Sequence, residues 1–333
     1  MECKKNESII FNGQDTTESK ICFDSNNKTK KNHIVPQAYL RYFKKSKKND
    51  IYVYHKKMNE ITSNNISTIG LENKLYVIED NSKKKYYSWE DYYTRYVDNT
   101  INNVFKKVLQ NANCKINIKP LWDYQLRLDI INIISHQMLR THEKIYSYFK
   151  EYPEEIDRIL KEVKEEYVNE EIIEKIKGVL LQESVYKSFA LPTVNIIAQN
   201  NKIKNVLLNK TWTLLCNNTN LDFVTSDTPV VLYDYRIGKA SIHYGLESKS
   251  TLLAYPICPK YMLVLFPNDF LLGSLRMNYH LGRIECNQND VIEFYNSLQY
   301  RISNRQIYAR REEELNLLKR KILVEQFYKV KFF

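Results

Sequence analysis

Ser88-Trp89-Glu90-Asp91-Tyr92-Tyr93-Thr94-Arg95-Tyr96-Val97 opens a stretch in which Trp89, Tyr92, Tyr93, Tyr96, Val97, Ile101, Val104, Phe105 and Val108 recur at helical spacing. Such a stripe buries one face of a long amphipathic helix, and Ser88 supplies an N-cap oxygen at its start. Upstream the period differs. Residues 51–54 and 73–78 read as short strands, joined by an Asn/Ser/Thr/Gly-rich connection that fits a loop or an irregular hairpin. Just before them Pro36, Tyr39, Leu40 and Phe43 fall at i, i+3, i+4 and i+7, the pattern of a short helix whose first turn holds a proline that needs no donor. Downstream, helical spacing continues over about 122–149, through a charged helix within 153–177, and over about 183–203 with a kink near Pro192.

Beyond Lys210 the pattern turns to strands at 211–216, 222–225, 230–233, 251–255 and 261–266, punctuated by Pro229, Pro256, Pro259 and Pro267. A last helix is predicted over about 289–311, followed by a basic tail. Strands, then helices, then strands predict an α+β fold, a central helical block packed with a mostly antiparallel sheet. The organisation expected is a loosely ordered polar arm over 1–31, a motif helix with a small β portion over 32–87, the helical block over 88–209, and a β-rich portion with a C-terminal helix over 210–333. Residues 32–333 are expected to form one compact unit.

The 333 residues carry a net charge of +11, with 43% hydrophobic, 7 glycines and 8 prolines, which excludes collagen-like and linker-like chains. The longest apolar runs are strand-sized, well short of the roughly 20 residues that cross a bilayer, so no membrane partner is expected. Residues 1–11 lack the apolar core of a secretory signal, and the six cysteines include no Cys-x-x-Cys pair. Both point to a cytoplasmic protein with reduced thiols. The basic balance, concentrated over 28–57, points to an acidic partner, nucleic acid first, although a lysine- and asparagine-rich composition gives the same charge without any partner.

Three segments carry candidate chemistry. His33 precedes the helix that Pro36 opens, where the positive end of the helix dipole disfavours the imidazolium and leaves a base or metal ligand. Asp227, in Thr225-Ser226-Asp227-Thr228-Pro229, follows a strand-like run and projects a carboxylate where the chain leaves the sheet. Gln137, Arg140 and Thr141 share one face of the predicted 122–149 helix, and Arg140 offers a planar fork to a phosphate or carboxylate. Each has a structural alternative: a helix cap for His33, an Asx turn for Asp227, and a salt bridge from Arg140 to Asp227 or Glu90. His136 and His142, six apart, lack the spacing of a helical zinc pair, and the Trp89–Tyr96 stripe reads as core. No Gly-rich phosphate loop, Gly-x-Ser-x-Gly elbow or His-Glu-x-x-His motif is present.

His33-x-x-Pro36-x-x-Tyr39-Leu40-x-x-Phe43, Gln137-x-x-Arg140-Thr141, Thr225-Ser226-Asp227-x-Pro229 and Asn296 together resemble the bacterial family catalogued as domain of unknown function 4238, over about 32–310. This chain departs from that pattern with Asn32 in place of a second histidine and His142 in place of a proline. The resemblance implies a shared fold and site and brings no activity with it.

From the residues, the leading expectation is a phosphodiesterase, most concretely a metal-assisted nuclease of the kind used in defence against foreign nucleic acid. In it Asp227 holds a divalent ion (Mg²⁺ or Mn²⁺), His33 activates water, and Gln137, Arg140, Thr141 and Ser226 hold the substrate. A second carboxylate would come from Glu72, Glu79, Asp98 or Asp222. The rival expectation is a non-catalytic module that senses an anionic ligand or a protein partner. A third is a buried polar network that only fixes packing.

Overall fold

The computed structural model describes residues 31–45, 48–79, 85–86, 88–113, 121–166, 170–241, 245–268 and 280–331. The arm expected over 1–31 lies outside them except for Lys31. The chain begins with β1 (Lys31–His33), a short helix α1 (Gln37–Leu40) continued by a 3₁₀ turn over Arg41–Phe43, and a hairpin of β2 (Asp50–His55) with β3 (Glu60–Asn65). Tyr39, Leu40 and Phe43 are buried, as the i, i+3, i+4, i+7 pattern requires.

The strand predicted over 73–78 is broken. β4 (Leu71–Asn73) pairs with β1, the chain turns at Lys74, which sits at φ +51, and β5 (Ile78–Glu79) pairs with β6 (Lys85–Tyr86). Leu75, Tyr76 and Val77 are core residues held in that turn. A short continuous apolar run imitates a strand here. Gly70, at φ +61, brings its backbone against Val35 and the Tyr308 hydroxyl, where an added Cβ would stand 3.3 and 3.4 Å away.

The aromatic stripe folds as α2 (Ser88–Tyr93), a π-helical turn over Thr94–Asp98, and α3 (Asn99–Asn113). α4 (Tyr124–Leu139) ends at Arg140, and α5 (His142–Glu166) runs on through Pro153. The single helix expected over 122–149 is therefore two, so Arg140 and Thr141 occupy a break and do not continue a helical face with Gln137. α6 (Glu170–Leu180) and α7 (Glu183–Gln199) follow, and α7 passes through Pro192; the break comes at Asn200, whose side chain caps α8 (Asn201–Leu208).

The remaining strands are β7 (Thr211–Asn217), β8 (Thr225–Ser226), β9 (Val231–Asp234), β10 (Lys239–Ala240), β11 (Thr251–Cys258), β12 (Tyr261–Phe266) and β13 (Gly282–Cys286). The run 222–225 supplies a strand only at its end. The predicted 289–311 helix stops at Ile302 as α9 (Asn289–Ile302), and the chain then forms β14 (Gln306–Ala309) and α10 (Glu312–Lys331), where a basic tail had been read.

The class is α+β. Six strands in the order β10-β9-β11-β12-β7-β13 are antiparallel except for the parallel β7–β13 pair, and a second sheet runs β3-β2-β14-β8. β7 is buried along its whole length because both faces of the large sheet are covered. Trp212, Leu214, Leu253 and Tyr255 join a core with Tyr39, Phe105 and Ile130 of the helical side. Leu215, Ala254, Met262 and Val264 pack on the other face against Ile292, Tyr295 and Leu298 of α9. Among the described residues no helix is long and apolar enough to cross a membrane.

Candidate functional site

The four motifs are joined by buried hydrogen bonds. Gln137 Nε2 donates to the Ile34 carbonyl at 3.0 Å, tying α4 to the residues after β1. The Tyr39 hydroxyl meets Thr225 Oγ1 at 2.7 Å and the Pro256 carbonyl at 2.8 Å. Asn296 accepts from Val224 N at 2.9 Å and donates to the Asp222 carbonyl at 2.9 Å. Ser226 Oγ donates to Gln299 Oε1 at 2.7 Å and accepts from Thr228 N at 3.2 Å. Gln137 and Ser226 are thus occupied in joining elements. Thr141 Oγ1 accepts from Lys144 N at 3.4 Å, across the start of α5.

Asp227 is 3% exposed, and its carboxylate closes the turn between α9 and β14. Oδ1 accepts from Asn304 N at 2.9 Å, and Oδ2 accepts from Arg305 N at 2.6 Å and Gln306 N at 3.0 Å. Burial raises its pKa, against the pull of those three amides and of Arg305. Both oxygens being committed to backbone amides, Asp227 does not fit the metal-ligand role expected of it. The proposed second carboxylates are also engaged: Glu72 pairs with Arg305, Asp98 with Arg140, and Asp222 with Arg310 at 2.7 Å. The side chain of Glu79 lies outside the described ones. Among the described residues no three His, Cys, Asp or Glu side chains cluster to hold a metal ion.

Arg140 is different. Its side chain is 0% exposed at the break between α4 and α5. Nη1 lies 2.9 Å from Asp98 Oδ1, so the ion pair expected with Asp227 or Glu90 is made with the last residue of the π turn. Asp98 is the facing carboxylate and shares a side-chain hydrogen bond with the guanidinium, while among the described residues Nε and Nη2 find no acceptor. The guanidinium sits 5.1 Å from the Tyr93 ring centre. The hydroxyls of Tyr76, Tyr93 and Tyr255 are buried, feel the charge of Arg140, and have no hydrogen-bond partner among the described residues. A native core satisfies nearly all its buried polar groups, so the gathering of several unsatisfied ones near one cation makes this the candidate site. Asp98, 20% exposed, forms its edge toward solvent.

Glu90 and His33 form a second wall. Asn32 donates to Glu90 Oε2 at 3.1 Å and accepts from Tyr76 N at 3.1 Å, and the His33 backbone N–H also bonds the Glu90 carboxylate. Burial pushes Glu90 up to about 7, while Asn32 and the charge of Arg140 oppose the rise. His33 is pushed down to about 4, first by burial and then by the charge of Arg140, with a bond to the Ser67 backbone opposing the fall. Gln37 Nε2 faces His33 Nε2 at 3.1 Å, a contact that suits the tautomer with its proton on Nδ1. The expected site residues therefore divide: His33 and Arg140 come together with Glu90 and Asp98, while Asp227 and Ser226 belong to the turn beside β14. Glu90, Tyr76, Tyr93 and Tyr255 were not singled out in the sequence as ligand-facing groups, because aromatic residues at core spacing hide which hydroxyls stay unpaired.

The family model described as Protein of unknown function (DUF4238) matches residues 31–313. The chain belongs to that family. No curated protein and no solved structure matches it. The DUF4238 region thus takes in both walls of the Arg140 site and the Asp227 turn.

The two titrating groups give this site a pH signature. Glu90 titrates higher folded (about 7) than unfolded (4.5), so its contribution to stability is full below pH 4.5 and is lost as pH rises toward 7. His33 titrates lower folded (about 4) than unfolded (6.5), so its contribution is full above pH 6.5 and is lost as pH falls toward 4. Between those limits the two slopes cancel. Relative to the wild-type chain, Glu90→Gln should lose stability as pH falls through this window and His33→Gln should gain it, as read by urea unfolding. Two variants with parallel, wild-type slopes would refute the assignment.

Proposed function

We propose that the protein binds a small ligand bearing an oxyanion, a carboxylate or phosphoryl group, at Arg140, and that it works as a recognition module. The observation that carries this reading is the fully buried guanidinium, held by Asp98 through one nitrogen, whose Nε and Nη2 have no acceptor among the described residues. Three buried tyrosine hydroxyls, also without a hydrogen-bond partner there, lie within reach of its charge. A planar fork of donors recognises two oxygens of one group, and tyrosine hydroxyls add further bonds in a site of low dielectric. The test is thermal unfolding and titration calorimetry with inorganic phosphate, acetate and a nucleoside monophosphate. Stabilisation of the wild-type chain that Arg140→Met abolishes supports the reading; no response to any of the three counts against it.

A second reading, hydrolysis of a phosphodiester, is favoured by one observation, the separation of Glu90 and His33 in pKa within one wall of that site. Glu90, near 7, exchanges a proton at neutral pH while Arg140 holds the phosphoryl oxygens. Cleavage of RNA, single-stranded DNA or duplex DNA that Glu90→Gln removes, run with Mg²⁺, Mn²⁺ and chelator arms, would move the protein into that class. The basic segment over 28–57 lends nucleic acid less support than its charge suggests. Lys44 donates to Asn49, Lys45 lies over Tyr52, and Lys56 bonds the Tyr300 and Ser303 carbonyls, so these cations have places in the fold.

A further inference from the structure

A cleft of about 280 Å³ lies beside the start of β7, apart from the Arg140 site, lined by Val206, Asn209, Lys210, Leu246, Ser248 and Pro267 among others. Lys210 is 5% exposed, yet it forms part of this wall. Its Nζ donates to the Thr251 carbonyl at 2.9 Å, and among the described residues no carboxylate pairs with it. The acid in the lining, Glu247, is taken by Lys202 at 2.9 Å, and the other cation there is Lys249. A carbonyl acceptor holds an amine in place without stabilising its positive charge as a carboxylate would.

We propose that Lys210 is a carbonyl-reactive amine that takes small aldehydes into this cleft as a covalent imine. The ammonium first gives a proton to solvent. The nitrogen lone pair then attacks the carbonyl carbon to give a carbinolamine, and loss of one water leaves the C=N bond, with no oxidant or reductant consumed. Val206, Leu246 and Pro267 in the lining suit a short carbon chain, and the open mouth of the cleft admits it. Burial supplies the reactivity by pushing the ammonium down to about 8. At pH 7.4 roughly a fifth of Lys210 is then free amine, against about a thousandth of an ordinary lysine.

The experiment is limited labelling of the folded full-length chain with propanal and sodium cyanoborohydride, mapped by peptide mass spectrometry from pH 6.5 to 10. A parallel arm uses pyridoxal 5′-phosphate with borohydride to compare a neutral with an anionic aldehyde. Lys210 should label at least tenfold faster than the median surface lysine at pH 7.4, with a rate that levels off above about pH 8. Lys210→Arg should remove that label and no other. An unlabelled Lys210, or one whose rate climbs toward pH 10 with the surface lysines, overturns the proposal, and neither result depends on a variant folding.

Discussion

Asp227→Ala lowers the stability of the folded chain by about 4 kcal/mol, and Asp227→Asn by about half of that. The alanine leaves three backbone N–H groups, of Asn304, Arg305 and Gln306, without their acceptor in a nearly closed turn. Each buried donor left unpaired costs on the order of 1 to 3 kcal/mol, and refilling by water recovers part of the sum. The asparagine keeps one oxygen and so retains part of the cradle. Because β14 pairs with both β2 and β8, loosening the turn loosens the small sheet as a whole. Urea unfolding of the three proteins measures this directly. A variant that unfolds like wild type but has lost nuclease or ligand-binding activity would instead return Asp227 to the catalytic role read from its sequence.

The second large effect separates function from scaffold at Arg140. Asp98→Asn removes the carboxylate that faces the guanidinium directly and leaves it only the Tyr93 ring and the more distant charge of Glu90 among the described residues; a buried cation without its counter-ion costs about 3 to 5 kcal/mol. Arg140→Met costs less, since Asp98, raised in pKa by burial and partly open to solvent, takes up a proton. In the double variant the mutual loss disappears. A methionine fills the space with apolar atoms, and the chain should melt at or above the wild-type temperature while no longer responding to any oxyanion. A site held for a ligand carries this trade between stability and binding. A packing network does not, and a double variant still several kcal/mol below wild type would assign Arg140 to the scaffold.

Much of the fold was legible because burial is periodic. The strands at 51–54, 211–216, 230–233, 251–255 and 261–266, the α1 face and the helical middle all follow from spacing. The misread elements have specific causes. Leu75, Tyr76 and Val77 are apolar yet sit in a turn, which local pattern cannot distinguish from a strand. Pro153 reads as a helix boundary and Pro192 as a break or kink, but both lie inside continuous helices, α5 and α7, where tertiary packing outweighs the missing hydrogen bond. Gln306 to Ala309 continue the apolar rhythm of α9 and become a strand only because β2 and β8 offer edges to pair with. At the site, the sequence pointed to His33 and Arg140. It did not reveal Asp98 as the counter-ion, since the two residues lie 42 positions apart on helices whose relative placement is a tertiary fact.

The π turn at Thr94–Asp98 works as a phase shifter. A turn that takes in one more residue than an α turn makes every later position lag by about 100°, the angle one α residue subtends. The tyrosines before it and the aliphatic residues after it therefore need not share a single helical stripe to face inward, and Asp98 stands at the join between the two settings. Removing one residue from the exposed pair Thr94 and Arg95 would advance α3 by that angle. The aromatic layer or the aliphatic layer would then turn outward, and the carboxylate would swing off the guanidinium. A change of length, with no change of charge, would be enough to uncouple the site from its own core.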